Sequence, residues 1–267
     1  MNQLLDASGV SFSWGENDVL KDLNLQIREN ELVSILGVNG AGKSTLLKCL
    51  NRILKPKSGE IRVFSENIHD LNLIELSKFM SYVPQSVRSS FSMDVFDVIL
   101  LGRRPHINWS ISNEDRDKVS NTIRFLNLED FAFRRFNQLS GGERQRVIIA
   151  KAIAQDPNLF LLDEPTSDLD LKNQIDIMKR LKQLVSNPES PKSALIAIHD
   201  INIAARFSDR ILLLHEGEIV ASGKPHEVLT EENIAMVFGV TSTIEFREYD
   251  SYIRVIIEDE IKEEIEV

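Results

Sequence analysis

Short apolar runs alternate with longer amphipathic stretches over most of the chain. The run ELVSIL at 31–36 leads into glycines and then into a helical pattern at about 42–51, which predicts a strand, a glycine loop and a helix. Further strands are predicted at 60–64, 80–84, 158–164, 193–198 and 210–216, and further helices at 142–154, 171–186 and 201–207. Such alternation favours an α/β fold with a mostly parallel sheet.

Three regions depart from this alternation. Stretches 4–14 and 19–28 are typical of antiparallel β-structure. The block from about 86 to 155 interrupts the alternation and predicts a helical subdomain, with its helical signal starting near residue 93. We expect one domain over 1–240, then a β-hairpin turning at Tyr249–Ser251 and an acidic, solvated tail, which together occupy 241–267.

Composition narrows the class of protein. The 267 residues are 42% hydrophobic and 27% charged, as in an ordinary globular protein. The formal net charge of −10 argues against a free-standing nucleic-acid binder, which usually presents a basic face. Cys49 is the only cysteine, which excludes an intramolecular disulfide and a cysteine-rich zinc site and fits a reducing cytoplasm. We expect no secretory signal and no membrane span, so other chains would supply any spanning part.

The segment GVNGAGKST matches the phosphate-loop pattern G-x-x-x-x-G-K-[ST] in full. Glycines let successive backbone N–H groups point into one concavity, and the helix N-terminus adds the positive end of its dipole. Lys43 is expected to reach the β- and γ-phosphates of a nucleotide, and the Ser44 hydroxyl to bind Mg²⁺. A chance match in a glycine turn is disfavoured by the strand before it and the helix after it. The candidate phosphate-binding residues are Gly37, Val38, Asn39, Gly40, Ala41, Gly42, Lys43, Ser44 and Thr45.

The segment FLLDE ends a predicted buried strand with two acids, Asp163 and Glu164. Acids at the carboxyl end of a strand lie where α/β sheets bind ligands. Asp163 is expected to hold Mg²⁺ through water, and Glu164 to take a proton from the attacking water as a general base. The alternative is that the two acids merely cap the element that begins at Pro165. The complete phosphate loop elsewhere in the chain favours the catalytic interpretation.

The segment LSGGE at 139–143 has two compatible interpretations. Ser140, followed by Glu143 and an apolar helix, is a capping box. Gly141 and Gly142 are unusual in a first helical turn because glycine lowers helix stability. Glycines there permit close approach of the backbone N–H groups to an anion, so the segment is also a candidate phosphate site.

The motifs GVNGAGKST, LSGGERQRV and LFLLDEPTSDLD, in this order and spacing, resemble the nucleotide-binding subunits of ABC transporters. The resemblance covers residues 4–239. It implies the ABC ATPase fold: an α/β phosphate-loop NTPase core with a mostly parallel sheet, an N-terminal antiparallel β portion and an inserted helical subdomain. It also implies ATP and Mg²⁺ as ligands and ATP hydrolysis as the reaction.

Further residue roles rest on the resemblance alone. Trp14 matches the aromatic residue that stacks on adenine, although a half-buried strand aromatic is the simpler interpretation. Gln85 matches the glutamine that contacts Mg²⁺ or the attacking water, and His199 matches the histidine that hydrogen-bonds the γ-phosphate. Asp170 matches the loop that contacts a second subunit, whereas Asp168 departs from the alanine common in that loop.

The resemblance also implies a homodimer in which two chains pair head to tail. Ser140 and Gly142 of one chain would then contact the γ-phosphate held by the phosphate loop of the other. A ligand shifts an equilibrium only by its differential affinity for the two states, and the γ-phosphate supplies that difference. ATP would therefore favour the closed dimer, and closure would move membrane subunits.

The segment DVILLGRRPHINW at 97–109 resembles importers of iron–siderophore, haem or cobalamin compounds. This implies an ATP-hydrolysing subunit at the cytoplasmic face of the cell membrane, working with permease subunits and indirectly with a substrate-binding protein, and with no nucleic acid. The alternative is a soluble ABC-type ATPase of translation or DNA repair. Such proteins usually carry two cassettes or long coiled coils, and this chain has one cassette and no long heptads. A third alternative, a small-molecule kinase, does not account for LSGGE.

Overall fold

The computed structural model describes residues 3–86, 92–246 and 252–261. In these ranges the strands are β1 (Gln3–Trp14), β2 (Asn17–Arg28), β3 (Leu32–Leu36), β4 (Ser58–Val63), β5 (Glu66–Asn67), β6 (Met80–Val83), β7 (Leu159–Asp163), β8 (Ser193–Ala197), β9 (Arg210–His215), β10 (Glu218–Gly223), β11 (Val240–Phe246) and β12 (Ile253–Glu260). The α-helices are α1 (Lys43–Leu50), α2 (Leu73–Phe79), α3 (Val95–Leu100), α4 (Asn113–Phe125), α5 (Gly141–Ala154), α6 (Leu171–Val185), α7 (Ile201–Phe207), α8 (Pro225–Val228) and α9 (Glu231–Phe238).

A six-stranded sheet in the order β10-β9-β3-β8-β7-β6 forms the centre of the fold. Strands β9, β3, β8, β7 and β6 are parallel, and β10 pairs antiparallel with β9 at one edge. Every residue of β3, β7 and β8 is buried, as expected for strands covered on both faces. The predicted mostly parallel sheet is confirmed. Because parallel strands end at the same edge, the segments after β3, β6, β7 and β8 lie along one side of the sheet.

The predicted antiparallel portion forms a second sheet in the order β2-β1-β4-β5. Helix α1 lies between the two sheets, where buried Leu46 shares one apolar cluster with Leu5 and Leu20 of the antiparallel sheet and with Val33 and Leu161 of the central sheet. This packing holds the N-terminus of α1 at the carboxyl edge of the central sheet.

The helices α3, α4 and α5 pack together and against the other face of the central sheet. Gly102 allows the turn after α3 to approach α5, since a Cβ there would lie 2.2 Å from the carbonyl oxygen of Lys151. Beside it, buried Arg103 donates to Oδ1 of Asp115 at 3.0 Å and to the carbonyl oxygen of Ala154 at 2.9 Å. One guanidinium therefore joins the turn after α3, the first turn of α4 and the end of α5. The boundaries 86–155 of a separate subdomain stay a prediction.

The C-terminal strands β11 and β12 pair as an antiparallel hairpin. Ile253 and Val255 of β12 pack into one cluster with α7, α8 and α9. The side-chain N–H of Asn202 donates to the carbonyl oxygen of Val255 at 3.0 Å, and the side-chain oxygen of Asn202 accepts the N–H of Val255 at 2.9 Å. The predicted turn at Tyr249–Ser251 and most of the acidic tail lie outside the described residues, and the division at residue 240 stays a prediction. None of the described helices is long and apolar enough to cross a membrane.

Sequence reasoning did not predict β5, α2, β10, α8 or α9. In α2 the apolar Leu73 and Ile74 are 69% and 62% exposed, and Leu76 is its buried residue. The apolar pattern of this helix therefore does not mark its buried face. A capping box between Asn72 and Glu75 starts α2 instead.

Candidate functional site

A cavity of about 550 Å³ lies at the carboxyl edge of the central sheet. The end of β1, the start of β2, the glycine loop with α1, and the segments after β6, β7 and β8 all contribute to its wall. The lining residues are Trp14, Val19, Asn39, Gly40, Gly42, Lys43, Ser44, Thr45, Gln85, Glu164 and His199. All except Val19 are residues that the sequence singled out, although they come from segments far apart in the chain. Val19 belongs to no motif, and its place depends on how β2 packs beside α1.

The glycine loop leaves the N-terminus of α1 open to a ligand. Gly40 and Gly42 have φ of 86° and 106°, which glycine adopts without strain. A Cβ on Gly42 would also lie 2.8 Å from Cδ2 of Leu20 and 3.0 Å from the carbonyl oxygen of Val19, so the packing against β2 leaves little room for a side chain. Within the described residues no side chain caps α1. Its first backbone N–H groups are therefore available to an anion.

Lys43 places a buried positive charge in this loop. Lys43 is 5% exposed, and its ammonium donates to the carbonyl oxygens of Gly37 at 2.8 Å and Val38 at 3.0 Å. Burial lowers the pKa of Lys43, and the negative charges of Glu164 and Asp163 oppose that shift. An ammonium has three N–H donors, so one is left for a ligand.

Asp163 and Ser44 present oxygen ligands beside the lysine. The Ser44 hydroxyl donates to Oδ1 of Asp163 at 2.8 Å, and the Tyr82 hydroxyl donates to Oδ2 at 3.2 Å. Burial and the Asp163 charge raise the pKa of Tyr82, so its hydroxyl stays a donor. Hydroxyl and carboxylate oxygens fit Mg²⁺, which proteins bind through one or two carboxylates together with substrate phosphates. The residues described include no cluster of three or more His, Cys, Asp or Glu able to hold a metal ion by themselves.

Glu164 is held from both sides at the floor of the cavity. The side-chain amide of Gln85 donates to Oε2 at 2.6 Å, and Nε2 of His199 pairs with Oε1. Glu164 is 8% exposed, and its φ of 48° lies in the left-handed region. Its N–H donates to the carbonyl oxygen of Ala197 at 3.1 Å, which ties this backbone to β8. Strain of this kind is common at functional sites, and here it belongs to the residue that joins Gln85 and His199.

The LSGGE segment lies apart from the cavity of its own chain. Ser140 is exposed and caps α5, since its Oγ accepts the N–H of Glu143 at 3.3 Å and the Glu143 carboxylate accepts the N–H of Ser140 at 2.7 Å. The capping-box interpretation is therefore confirmed. Gly141 faces open space, and a Cβ on Gly142 would lie 3.1 Å from the carbonyl oxygen of Asp168. The predicted phosphate contacts of this segment stay predictions.

Five other predicted site residues do not line the cavity, and Asp163, which bonds the cavity residue Ser44, is one of them. Buried Gly37 packs against the carbonyl oxygen of Leu214, 2.3 Å from where a Cβ would stand, and Ala41 is buried beside α1. Val38 is exposed, and its carbonyl oxygen accepts a bond from Lys43. Asp170 is exposed and caps α6 by accepting the N–H of Asn173 at 2.8 Å. Their predicted contacts with a nucleotide or a second subunit stay predictions.

A second cavity, of about 350 Å³, lies between the starts of α6 and α7 and strand β12. Arg206, Tyr252 and Arg254 contribute to its wall. It carries neither a glycine loop nor the acids Asp163 and Glu164. The chemistry expected from the motifs is therefore concentrated in the larger cavity.

The family model of the ABC transporter matches residues 20–167, which include the phosphate loop, LSGGE and both acids. The chain belongs to the ABC transporter family. It is 46% identical to an uncharacterised ABC transporter ATP-binding protein of Methanocaldococcus jannaschii, over 91% of this chain and 94% of that protein. It is 36% identical to a petrobactin import ATP-binding protein of Bacillus anthracis, over 89% of this chain and 87% of that protein.

Solved structures of ABC proteins share the fold. A metal-chelate type ABC transporter in an inward-facing conformation superposes with a TM-score of 0.82 at 30% identity, covering 96% of this chain and 98% of that one. A dimeric ATP-binding cassette in a post-hydrolysis state with ADP and phosphate superposes with a TM-score of 0.74 at 34% identity, covering 83% of this chain and 99% of that one. The ABC ATPase fold is confirmed, and this ABC protein is an ATPase whose phosphate loop lies in the larger cavity.

Proposed function

We propose that this ABC ATPase drives the uptake of a metal-chelate compound, of the siderophore, haem or cobalamin type, through a separate membrane permease. The observation that carries the proposal is the similarity to a metal-chelate type transporter over nearly the whole chain. The petrobactin import relative supports the same class of cargo. Import subunits among the relatives favour transport over the alternative of a translation or DNA-repair ATPase. The protein then works at the cytoplasmic face of the membrane.

In this proposal the triphosphate of ATP binds at the N-terminus of α1. The open backbone N–H groups there and the remaining donor of Lys43 bind phosphate oxygens. Ser44, Asp163 and Gln85 hold Mg²⁺, which neutralises charge on the phosphates when it is bound. Trp14 stacks on adenine. Trp14 is 57% exposed, and its ring contacts that of Phe12 in a T-shaped arrangement with the centroids 5.0 Å apart, so much of its surface is accessible to a base.

Glu164 accepts the proton of the attacking water. A carboxylate offers about four lone-pair sites, and the bonds to Gln85 and His199 use two of them. These two bonds fix the orientation of the carboxylate, because they hold its two oxygens from opposite sides. His199 also faces the cavity and is 41% exposed at its side chain, so it can reach a γ-phosphate.

A second copy of the chain completes each ATP site. Ser140, Gly142 and Asp170 carry family motifs but do not line the cavity of their own chain. The dimeric cassette structure supports a partner that brings them there. ATP then lies between the phosphate loop of one subunit and LSGGE of the other.

The test of the transport function is the composition of the native complex. Purification from membranes in mild detergent should recover two copies of this chain with two permease chains. Vesicles that contain the complex and enclose ATP should take up a ferric siderophore, haem or cobalamin supplied with its binding protein, and the Glu164→Gln complex should not. Recovery only from the soluble fraction, with ribosomes or DNA, would contradict the transport function.

A further inference from the structure

Tyr82 is a half-buried residue of β6 that does not line the cavity and belongs to none of the motifs. Its hydroxyl donates to Oδ2 of Asp163 at 3.2 Å, while the Ser44 hydroxyl donates to Oδ1 at 2.8 Å. Asp163 is 3% exposed. The two oxygens of this carboxylate are therefore each held by a hydroxyl, from β6 on one side and from α1 on the other.

Strand register explains how the tyrosine reaches the acid. In the parallel pair β6–β7, Tyr82 lies opposite Leu161. Side chains alternate along a strand, so Leu161 and Asp163 lie on the same face of the sheet. Tyr82 shares that face, and its long side chain spans the two residues to the carboxylate.

The end of β6 contacts both acids at the end of β7. Tyr82 bonds Asp163, and three residues later Gln85 bonds Glu164 at 2.6 Å. A carboxylate with one hydroxyl partner can rotate about its side-chain torsions, whereas one held at both oxygens keeps a single orientation. The second hydrogen bond therefore restricts the orientation in which Asp163 would face a metal ion beside Ser44.

We propose that Tyr82 is a positioning residue that orients the Asp163 carboxylate toward Mg²⁺ of the bound nucleotide. The proposal rests on the metal-binding roles proposed above for Ser44 and Asp163. Residues that hydrogen-bond a metal ligand typically change metal affinity or activity by about 10–100-fold when they are replaced. Tyr82 acts through Asp163, so it supports the binding of MgATP and not the binding of ATP without metal.

Tyr82→Phe tests this because it keeps the ring and removes the hydroxyl. The measurement is the affinity for a non-hydrolysable ATP analogue, by titration in excess Mg²⁺ and again in EDTA. Tyr82→Phe should lower the affinity in Mg²⁺ by at least about ten-fold and leave the affinity in EDTA unchanged. An equal loss of affinity in Mg²⁺ and in EDTA overturns the proposal, because it means that Tyr82 has a purely structural role. No loss of affinity in either condition also overturns it, because Tyr82 then has no role in binding.

Ser81→Ala is the matched control. It removes a hydroxyl from the adjacent residue of the same strand, and within the described residues this buried Oγ has no hydrogen-bond partner. Ser81→Ala should leave the ratio of the two affinities unchanged, and a change like that of Tyr82→Phe would overturn the proposal. Ser44→Ala distinguishes a failure of the proposed Tyr82 role from a failure of the proposed metal site. If Ser44→Ala lowers the affinity only in Mg²⁺ while Tyr82→Phe does not, the metal site stands and Tyr82 has no part in it. If Ser44→Ala has no metal-dependent effect, the proposed metal site itself fails.

Discussion

The two helix starts that carry glycines, at α1 and at α5, differ in whether a side chain caps their first backbone N–H groups. At α1, Gly42 adopts a left-handed conformation, no described side chain caps the helix, and the buried ammonium of Lys43 lies beside it. At α5, Ser140 and Glu143 cap the first turn, and Gly141 faces open space. The first start lines the large cavity, whereas the second lies outside it.

Glycines at a helix start therefore do not by themselves make a phosphate site. The α1 start has unused N–H donors and a buried positive charge within one chain. The α5 start is capped by Ser140 and Glu143 and lies outside the cavity of its own chain, so contact with a nucleotide in such a cavity requires a second molecule. Variants at the two helix starts and at the cavity test that contrast.

A glutamate-to-glutamine change in the cavity and at the α5 start should give the largest difference in the rate of ATP hydrolysis. Glu164→Gln should slow ATP hydrolysis by about 10²–10⁴-fold, because an amide cannot accept a proton as a base. ATP binding should survive, and ATP-bound dimers should accumulate on a sizing column. Glu143→Gln should leave hydrolysis close to that of the unmodified protein, since an amide oxygen can still accept the Ser140 N–H. Phosphate release at saturating ATP measures both, and near-normal turnover of Glu164→Gln would remove this residue from the role of base.

Mixed dimers test whether the α5 start serves the cavity of another subunit. One chain carries Lys43→Ala, and the other carries Ser140→Arg, whose bulk blocks close approach of a phosphate to the helix N-terminus. If the motifs act across the interface, one site of the heterodimer receives both lesions and the other receives none. The heterodimer should then trap one nucleotide, while each homodimer is damaged at both sites.

Trapping is the suitable measurement for these mixed dimers, because cooperative hydrolysis could need both sites intact. Purified heterodimers are compared with the two homodimers at equal protein concentration. Trapping no greater than that of the homodimers would mean that each chain uses its own LSGGE. The α5 start would then be a capped helix and nothing more.

Substitution of each of the two tryptophans compares the cavity, which Trp14 lines, with the helical region, which contains Trp109. Trp14→Ala should weaken ATP binding by roughly 1–3 kcal/mol, by analogy with base stacking on aromatic side chains. GTP binding should weaken similarly, because stacking barely distinguishes base edges. Trp109 is fully exposed at 100%, and Trp109→Ala should leave nucleotide binding unchanged. Titration of both nucleotides measures this, and an unchanged affinity in Trp14→Ala favours the simpler interpretation of a strand aromatic.

Glycine-to-alanine changes give the smallest effects, with opposite signs at the two helix starts. Gly42→Ala should lower the free energy of unfolding by more than about 1 kcal/mol, because its φ of 106° is unfavourable for alanine and its Cβ would meet Leu20. Gly141→Ala should raise it by about 0.4–1 kcal/mol, since this position is helical and faces open space. Denaturant unfolding measures both changes. If both substitutions shift the free energy of unfolding in the same direction, the two starts do not differ in the backbone conformation that they require.

Local patterns allowed much of the fold to be predicted. The apolar runs of β3, β7 and β8 are covered on both faces, so nearly continuous hydrophobicity marks them directly. The phosphate loop is one contiguous motif, so Lys43 and Ser44 were identified without knowledge of the tertiary structure. Helix α2 was missed because Leu73 and Ile74 are exposed. Strand β10 was missed because it is an edge strand without a fully buried residue.

The family, the motifs and the residue types that carry the chemistry can be identified from the sequence alone, because each motif lies within a few consecutive residues. The tertiary structure is needed to show which helix start meets the acids, and that Gln85 and His199 bond the two carboxylate oxygens of Glu164. The contact of Tyr82 with Asp163, two residues 81 positions apart, likewise depends on the register between β6 and β7. Register and packing arise from long-range burial and pairing, and a local pattern does not contain that information.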